Sequence, residues 1–125
     1  MPLGDPGGGN FEYTTEGLPS GAAFIEIPVK DKVRALAFYR DVLMFRVVQD
    51  DPLILSAGSG CSFVLTERND AGKETGIYLK VDNPFDFNRR MVDEGVVMVR
   101  HPQKGALGVY ASFRDSEGNT LHVIS

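Results

Sequence analysis

The sequence predicts an α+β domain built from two successive modules, each with the order strand, helix and then three strands. Apolar residues alternate along a first strand at Ile25, Ile27 and Val29, which is the period of a strand with one buried face. The same alternation returns over residues 77–81, and each copy is followed by a helical stripe and three short strand-like runs. Because neither half could bury its helix and its sheet alone, the two halves are expected to form one duplicated domain.

Composition and charge limit what this domain can be. The chain has 125 residues, of which 42% are hydrophobic and 24% charged, as in folded chains of a single domain. It carries 13 basic and 17 acidic residues, a formal net charge of −4, which disfavours nucleic acid and anionic membranes as partners. The sequence contains a single cysteine and no long apolar run. Both features predict a cytoplasmic protein.

Residues 1–20 are predicted to form a flexible N-terminal tail. They contain five glycines and three prolines but no lysine or arginine, so they lack the basic region of an export signal. A phosphate-binding loop requires a strand before its glycines and a Lys-Ser/Thr pair after them. The glycine run over residues 7–9 has neither. One domain remains over residues 22–125, with module one at 22–67 and module two at 75–125.

Module one reads as a strand, a helix and three further strands. After the first strand, Asp31 can cap a helix over about residues 32–44. The inner stripe of this helix is predicted to contain Val33, Leu36, Tyr39 and Leu43. Turn residues then separate three strands, predicted at Phe45–Gln49, Leu53–Ala57 and Cys61–Thr66.

Module two repeats this order. Asn83 is a second cap, for a helix over about residues 84–94 that has proline in its first turn and Gly95 after its end. Its inner side is predicted to contain Phe87, Met91 and Val92. The remaining strands are predicted at Val96–Val99, Val109–Arg114 and Thr120–Ile124. Residues 115–119 form the last turn, and His101 is expected in an exposed loop without a role.

Two motifs in this repeat resemble the vicinal oxygen chelate superfamily, which includes glyoxalase I, bleomycin-resistance proteins, fosfomycin-resistance enzymes and extradiol dioxygenases. Residues 37–43 (AFYRDVL) are similar to the ending of the family's first helix, and residues 113–119 (FRDSEGN) are similar to its last hairpin. The resemblance covers about residues 22–125, and residues 24–29 look most like small glyoxalase-related proteins of one domain. It implies two curved mixed sheets around a cavity, with one helix per module on the outside.

The resemblance also implies where a metal would be bound, because metal-dependent members place one ligand on the first and last strand of each module. The matching positions here are Phe24, Val64, Gly76 and His122. Divalent metals need oxygen, nitrogen or sulfur donors, and three of these four residues have no such side-chain atom. We therefore expect no metal centre and no cofactor.

Two ionisable residues on the concave side of the sheets are candidate catalytic groups. Strand alternation places Glu26 on that side, where a carboxylate can act as a general acid or base. Alternatively, Lys80, Arg114 or a tyrosine hydroxyl pairs with Glu26, and its role is structural only. His122 could transfer a proton or bind a ligand, or be a hydrogen-bonded residue without a function.

A set of apolar, aromatic and basic residues shares the same predicted side. The candidate ligand-binding residues are Phe24, Val64, Tyr78, Lys80, Tyr110 and Arg114. Aromatic rings can stack on a planar ligand, and a cation can bind a carboxylate or phosphate. The alternatives are core packing for the aromatic residues and a solvated rim for the cations. Cys61 is expected to be a small buried residue and not a nucleophile.

These residues leave three hypotheses for function. The first is a metal-free protein of the glyoxalase and bleomycin-resistance type that binds a small molecule. The second is a lyase or isomerase acting next to the carbonyl of a small metabolite, with Glu26 as base and His122 as acid or orienting group. The third is an interaction module whose cavity is filled by its own side chains. A homodimer is expected, since each half exposes sheet edges and the resembled family is usually dimeric.

Overall fold

The strands and helices follow the predicted order in a computed structural model that describes residues 16–125. Most of the predicted tail therefore lies outside the described residues. Module one contains β1 (Phe24–Val29), α1 (Lys32–Ala37), β2 (Arg46–Gln49), β3 (Leu53–Ser56) and β4 (Ser62–Glu67). Module two contains β5 (Glu74–Lys80), α2 (Pro84–Asp93), β6 (Met98–Gly105), β7 (Gly108–Arg114) and β8 (Thr120–Ile124).

Each module forms its own four-stranded mixed sheet. The strand orders are β1-β4-β3-β2 and β5-β8-β7-β6. In both sheets the first and last strands of the module pair in parallel, and the other neighbours pair antiparallel. The prediction of an α+β fold with two tandem modules is confirmed.

The first helix is shorter than predicted and changes its geometry. Asp31 caps it as expected, because its Oδ1 atom accepts a hydrogen bond from the Arg34 amide at 3.1 Å. After Ala37 the chain widens into a π-helical turn over Phe38–Val42, in which the Leu43 amide donates to the Phe38 carbonyl. The added residue shifts the phase of the inner stripe. Ala35 and Tyr39 are buried, whereas Val33 is exposed and its predicted burial is wrong. Val33 precedes the π-helical turn and lies on the side of α1 opposite Ala35, two residues away along a regular helix.

The second module departs from the prediction at its helix and at β6. Asn83 caps α2 through Oδ1 and Met91 is buried, but Val92 is exposed and does not belong to the inner side. Strand β6 is longer than predicted and includes His101 and Pro102, so the loop assigned to His101 is wrong. Pro102 is tolerated because β6 is an edge strand whose pairing shifts between Arg100 and Gln103. No helix within residues 16–125 is long and apolar enough to cross a membrane.

The turn over residues 115–119 forms hydrogen bonds with module one. Its side chains Asp115, Glu117 and Asn119 are buried, and Asn119 is 0% exposed. The Tyr39 hydroxyl donates to Asp115 Oδ2 at 2.6 Å, and Asn119 Nδ2 donates to the Pro28 carbonyl at 2.7 Å. The last hairpin of module two is therefore bonded to the first strand and helix of module one.

Glu117 completes this junction. Its carboxylate accepts hydrogen bonds from the amides of Lys30 and Asp31 at 2.8 and 2.9 Å and from the Arg34 guanidinium at 2.8 Å. Burial alone would raise the pKa of Glu117, but hydrogen bonds from Arg34, Asp31, Ser116 and Lys30 lower it to about 2. Glu117 is thus a charged, fully partnered side chain between the modules.

Candidate functional site

Four side chains lie in one row across the second sheet. Tyr78 pairs with His122 between β5 and β8, and Ser112 pairs with His122 between β7 and β8. Arg100 pairs with Ser112 between β6 and β7. Directly paired residues point to the same face of a sheet, with neighbouring strands about 4.8 Å apart. We call Arg100, Ser112, His122 and Tyr78 the cross-strand row.

A cleft of about 220 Å³ opens over this row. It is lined by Glu74, Tyr78, Val99, Arg100, Tyr110, Ser112, Thr120 and His122. The His122 side chain is 12% exposed, Ser112 is 2% exposed and Tyr78 is 50% exposed. The cleft therefore has a deep polar floor and an open aromatic wall.

A chain of hydrogen bonds runs along the floor of the cleft. Ser112 Oγ lies 2.6 Å from His122 Nδ1, and His122 Nε2 lies 2.6 Å from Glu74 Oε2. The hydrogen bond with His122 lowers the pKa of Glu74, burial opposes this, and the Gly76 amide adds a second hydrogen bond that lowers it. An ionised Glu74 can only accept, so in the neutral imidazole Nε2 carries the hydrogen and Nδ1 accepts from the Ser112 hydroxyl.

A bulge in β5 brings Glu74 to this position. Strand β5 advances four residues from Glu74 to Tyr78, while β8 advances two from Thr120 to His122. Gly76 lies within the bulge at φ +71, a backbone conformation that favours glycine. If regular pairing continued from Glu74 and Thr120, Gly76 would lie opposite His122. Sequence reasoning assumed regular pairing and therefore missed Glu74. The signal that could have revealed it is a glycine inside a strand pattern, which often marks a bulge.

Tyr110 supplies a hydrogen-bond donor at one end of the cleft. Arg100 Nη1 and Gln103 Nε2 both donate to the Tyr110 hydroxyl oxygen, at 2.9 and 3.2 Å. The Arg100 guanidinium also lies 5.7 Å from the centre of the Tyr110 ring. Because both bonds end on the oxygen, the hydroxyl hydrogen remains available to an acceptor on a ligand.

Glu26 lies on the first sheet with partners other than those anticipated. Its Oε1 atom accepts from Arg68 at 2.6 Å and its Oε2 atom accepts from Thr66 at 3.1 Å. Lys80, Arg114 and the tyrosine hydroxyls are not its partners, so that part of the prediction is wrong. The Glu26 side chain is 51% exposed, and its charge is paired with that of Arg68, the residue directly after module one.

The other predicted ligand-binding residues lie in different places. Tyr78 and Tyr110 line the cleft with His122, but Phe24, Val64 and Arg114 lie outside it. Lys80 lines a larger cavity of about 710 Å³ with apolar side chains from both modules. The structure thus brings two of the six together with His122.

Comparison with known proteins agrees with this architecture. The model of the Glyoxalase/Bleomycin resistance protein/Dioxygenase superfamily matches residues 21–123. The chain belongs to this superfamily. The resemblance to the vicinal oxygen chelate proteins is therefore confirmed. No curated protein matches the chain by sequence.

Several solved structures of the superfamily share the fold. A glyoxalase/bleomycin resistance protein from Streptomyces sp. CB03234 is 26% identical, with 85% of this chain and 100% of that chain covered and a TM-score of 0.71. TnmS3, an antibiotic binding protein from the same organism, is 24% identical, with 86% and 96% covered and a TM-score of 0.77. A member from Sphaerobacter thermophilus DSM 20745 is 22% identical, with 86% and 98% covered and a TM-score of 0.79.

The donor set does not fit the metal that the superfamily implies. Phe24, Val64 and Gly76 offer no side-chain donor, and the described residues contain no group of three or more His, Cys, Asp or Glu side chains placed to hold an ion. The two donors that do meet, Glu74 and His122, are hydrogen-bonded to each other. We therefore derive no reaction step through a metal.

Proposed function

We propose that this chain binds a small planar molecule against Tyr78, on the open face of the second sheet, without a metal ion. The observation that carries the proposal is the stacking of Tyr78 on His122. The two ring centroids lie 4.5 Å apart with an angle of 18° between the planes, and Tyr78 is still half exposed. A ring that is supported on one face and open on the other is a stacking platform for a second planar group.

The surroundings of Tyr78 support this choice. Tyr78 borders the 220 Å³ cleft and also a second cleft of about 240 Å³. The second cleft is lined by Tyr78, Gly105, Ala106, Leu107, Tyr110 and Ile124. Tyr110 borders both clefts and has a free hydroxyl hydrogen. Small-molecule sites combine apolar walls with a few placed polar groups, and a planar ligand with an oxygen acceptor suits both features.

The same proposal extends to ligand class and assembly. TnmS3, which shares the fold, is an antibiotic binding protein, so planar antibiotics belong among the first compounds to test. We also propose a homodimer, in which a second copy covers exposed edge strands of the two sheets. A light-scattering mass equal to one chain at micromolar concentration would contradict the dimer. Stoichiometric zinc, nickel, manganese or iron in protein purified without chelator would contradict the metal-free site.

The binding proposal is tested by a thermal-shift screen of planar aromatic compounds, followed by titration with tyrosine fluorescence. A ligand selective for the folded state raises the melting temperature. We expect Tyr78→Ala to weaken binding by about 1–3 kcal/mol, the usual size of one lost stacking contact. Phe85→Ala is the matched control, because Phe85 is an exposed aromatic residue on α2, outside the clefts beside Tyr78.

A second variant distinguishes a ligand that binds in the two clefts from one that binds in the larger cavity. Tyr78 borders both, but Tyr110 does not line the 710 Å³ cavity. Tyr110→Phe should therefore weaken a ligand that bears an oxygen acceptor only if it binds in the clefts. Equal affinity of the wild type, Tyr78→Ala and Tyr110→Phe would refute the proposed site.

A further inference from the structure

We infer that Ser112 is an activated nucleophile that accepts the acyl group of a small ester bound in the 220 Å³ cleft. This inference rests on the proposed function for the location of the ligand, because both use the face beside Tyr78. It goes beyond binding, since it assigns a covalent step to Ser112 and a positioning role to Glu74.

Ser112, His122 and Glu74 have the relative geometry of a nucleophile, its base and an orienting group. A nucleophilic hydroxyl needs a base within hydrogen-bond distance, and the base needs a third group that fixes its tautomer. Ser112, His122 and Glu74 meet these conditions, with both linking distances at 2.6 Å. Tyr78 stacks on the imidazole and further restricts its rotation.

Ser112 lies in the interior of the cross-strand row. It lies between the base on one neighbouring strand and Arg100 on the other. A serine that attacks a carbonyl needs a positive or donating group for the oxyanion that forms. Arg100 and the free hydroxyl hydrogen of Tyr110 are positive or donating groups of this kind, and both residues line this cleft.

Ser112 can be reached through the 220 Å³ cleft. Ser112 is 2% exposed and lines the cleft, so only a small molecule that enters the cleft could reach its hydroxyl. The limited volume favours a short acyl group. The half-exposed ring of Tyr78 favours an aromatic alcohol as the leaving part.

The reaction balances with water as the only co-reactant. Ser112 Oγ forms a bond to the carbonyl carbon while its proton moves to His122 Nδ1. The bond from that carbon to the alcohol oxygen breaks, and the alcohol leaves with the proton from Nδ1. Water then attacks the acyl carbon, gives its proton to Nδ1, and the bond to Ser112 breaks as the serine regains that proton. The products are a carboxylic acid and an alcohol.

The experiment uses the full chain with para-nitrophenyl acetate, read by release of nitrophenolate and by intact mass. We expect a burst of nitrophenolate and one acetyl group per chain, mapped to Ser112 by peptide mass. Ser112→Ala should lose both signals. Ser62→Ala is the matched control, because Ser62 is a partly buried strand serine on the first sheet, and it should react like the wild type.

The positioning role of Glu74 has its own readout. Glu74→Gln should slow acylation by roughly tenfold or more, within the range of general-base effects, and Glu74→Asp should restore part of the rate. Nitrogen NMR of the His122 imidazole should show the hydrogen on Nε2 in the wild type and a changed tautomer population in Glu74→Gln. An unchanged acylation rate and tautomer in Glu74→Gln would refute this role.

The outcomes separate the covalent step from binding. Binding of para-nitroacetanilide, an unreactive amide of similar shape, reports occupation of the cleft. If the amide binds through Tyr78 but no acetyl group appears on Ser112, the covalent inference is wrong and the proposed function stands. If acetyl groups appear equally in Ser112→Ala, the reaction is elsewhere and the inference is also wrong. If neither compound binds nor reacts, both proposals fail for this ligand class.

Discussion

The two modules share strand order, sheet order and a capped helix, but their open sheet faces have different chemistry. On the first sheet, Glu26 and Arg68 form an exposed ion pair. On the second sheet, His122 is largely buried between Ser112 and Glu74 and is stacked on Tyr78. The two modules therefore share their backbone arrangement, whereas the sheet of module two carries a cleft with a polar floor.

The difference begins in the pairing of the parallel strands. Strands β1 and β4 pair without interruption over six residues, so side chains alternate regularly and Glu26 remains at the surface. Strands β5 and β8 are interrupted by the bulge at Gly76. The bulge brings a carboxylate, Glu74, to a histidine that regular pairing would leave without it. One local irregularity thus gives the second sheet a polar chain with a largely buried histidine at its centre, whereas the polar side chains bonded to Glu26 on the first sheet are exposed.

The largest predicted effect concerns the junction between the modules. Asp115→Ala removes the acceptor of the Tyr39 hydroxyl and of the amides of Glu117 and Asn119, all of which are buried. Leaving buried polar groups without partners costs about 3–5 kcal/mol when a network is broken. We expect urea unfolding to show a loss of this order.

Asp41→Ala is the control for this prediction. Asp41 pairs with Arg40, and both side chains are about half exposed, so its removal should cost less than about 1 kcal/mol. Equal losses for Asp115→Ala and Asp41→Ala would show that the junction does not hold the modules together.

Acid titration examines the same junction through Glu117. Its pKa of about 2 in the folded state lies below the ordinary value of 4.5, so its contribution is fully present above about pH 5 and is lost as the pH falls toward 2. The difference corresponds to roughly 3 kcal/mol of unfolding free energy. We expect Glu117→Gln to be less stable at neutral pH and to lose less stability on acidification. A parallel pH dependence in wild type and variant would contradict this.

The sequence predicted the fold better than the site, for physical reasons. Periodicity reports which residues face a core, and this was sufficient for the order of elements, while the residue types of Asp31 and Asn83 indicated both helix caps. Periodicity cannot report a bulge, so Glu74 was missed and the family resemblance gave Gly76 as the matching position on that strand. It also cannot show that polar turn residues such as Asp115 and Asn119 are buried, because their burial depends on partners in the other module.

Substitutions directly after the two helical segments should change the unfolding free energy by a smaller amount. Both are followed by a residue with positive φ, Met44 at 62° in module one and Gly95 at 79° in module two. This conformation destabilises a residue that has a Cβ atom by about 1–2 kcal/mol. Glycine avoids this cost but loses more backbone entropy on folding, which offsets part of the gain in stability. We expect Met44→Gly to raise the unfolding free energy by about 0.5–1 kcal/mol and Gly95→Ala to lower it by a similar amount. A loss of stability in Met44→Gly, measured by urea unfolding, would show that the exposed methionine packs usefully.

The smallest predicted effect sharpens the contrast between the two sheet faces. Glu26→Gln removes an ion pair in which both partners are about half exposed, and such pairs contribute about 0–1 kcal/mol. The glutamine can still accept from Thr66, so we expect little change in unfolding free energy and less than about a tenfold change in ligand affinity. If the chain is instead a lyase or isomerase with Glu26 as its base, the same variant should lose nearly all turnover while remaining folded. A stable Glu26→Gln variant with intact binding would therefore place ligand recognition on the second sheet alone. Loss of turnover would instead give the first sheet a chemical role that its exposed ion pair does not suggest.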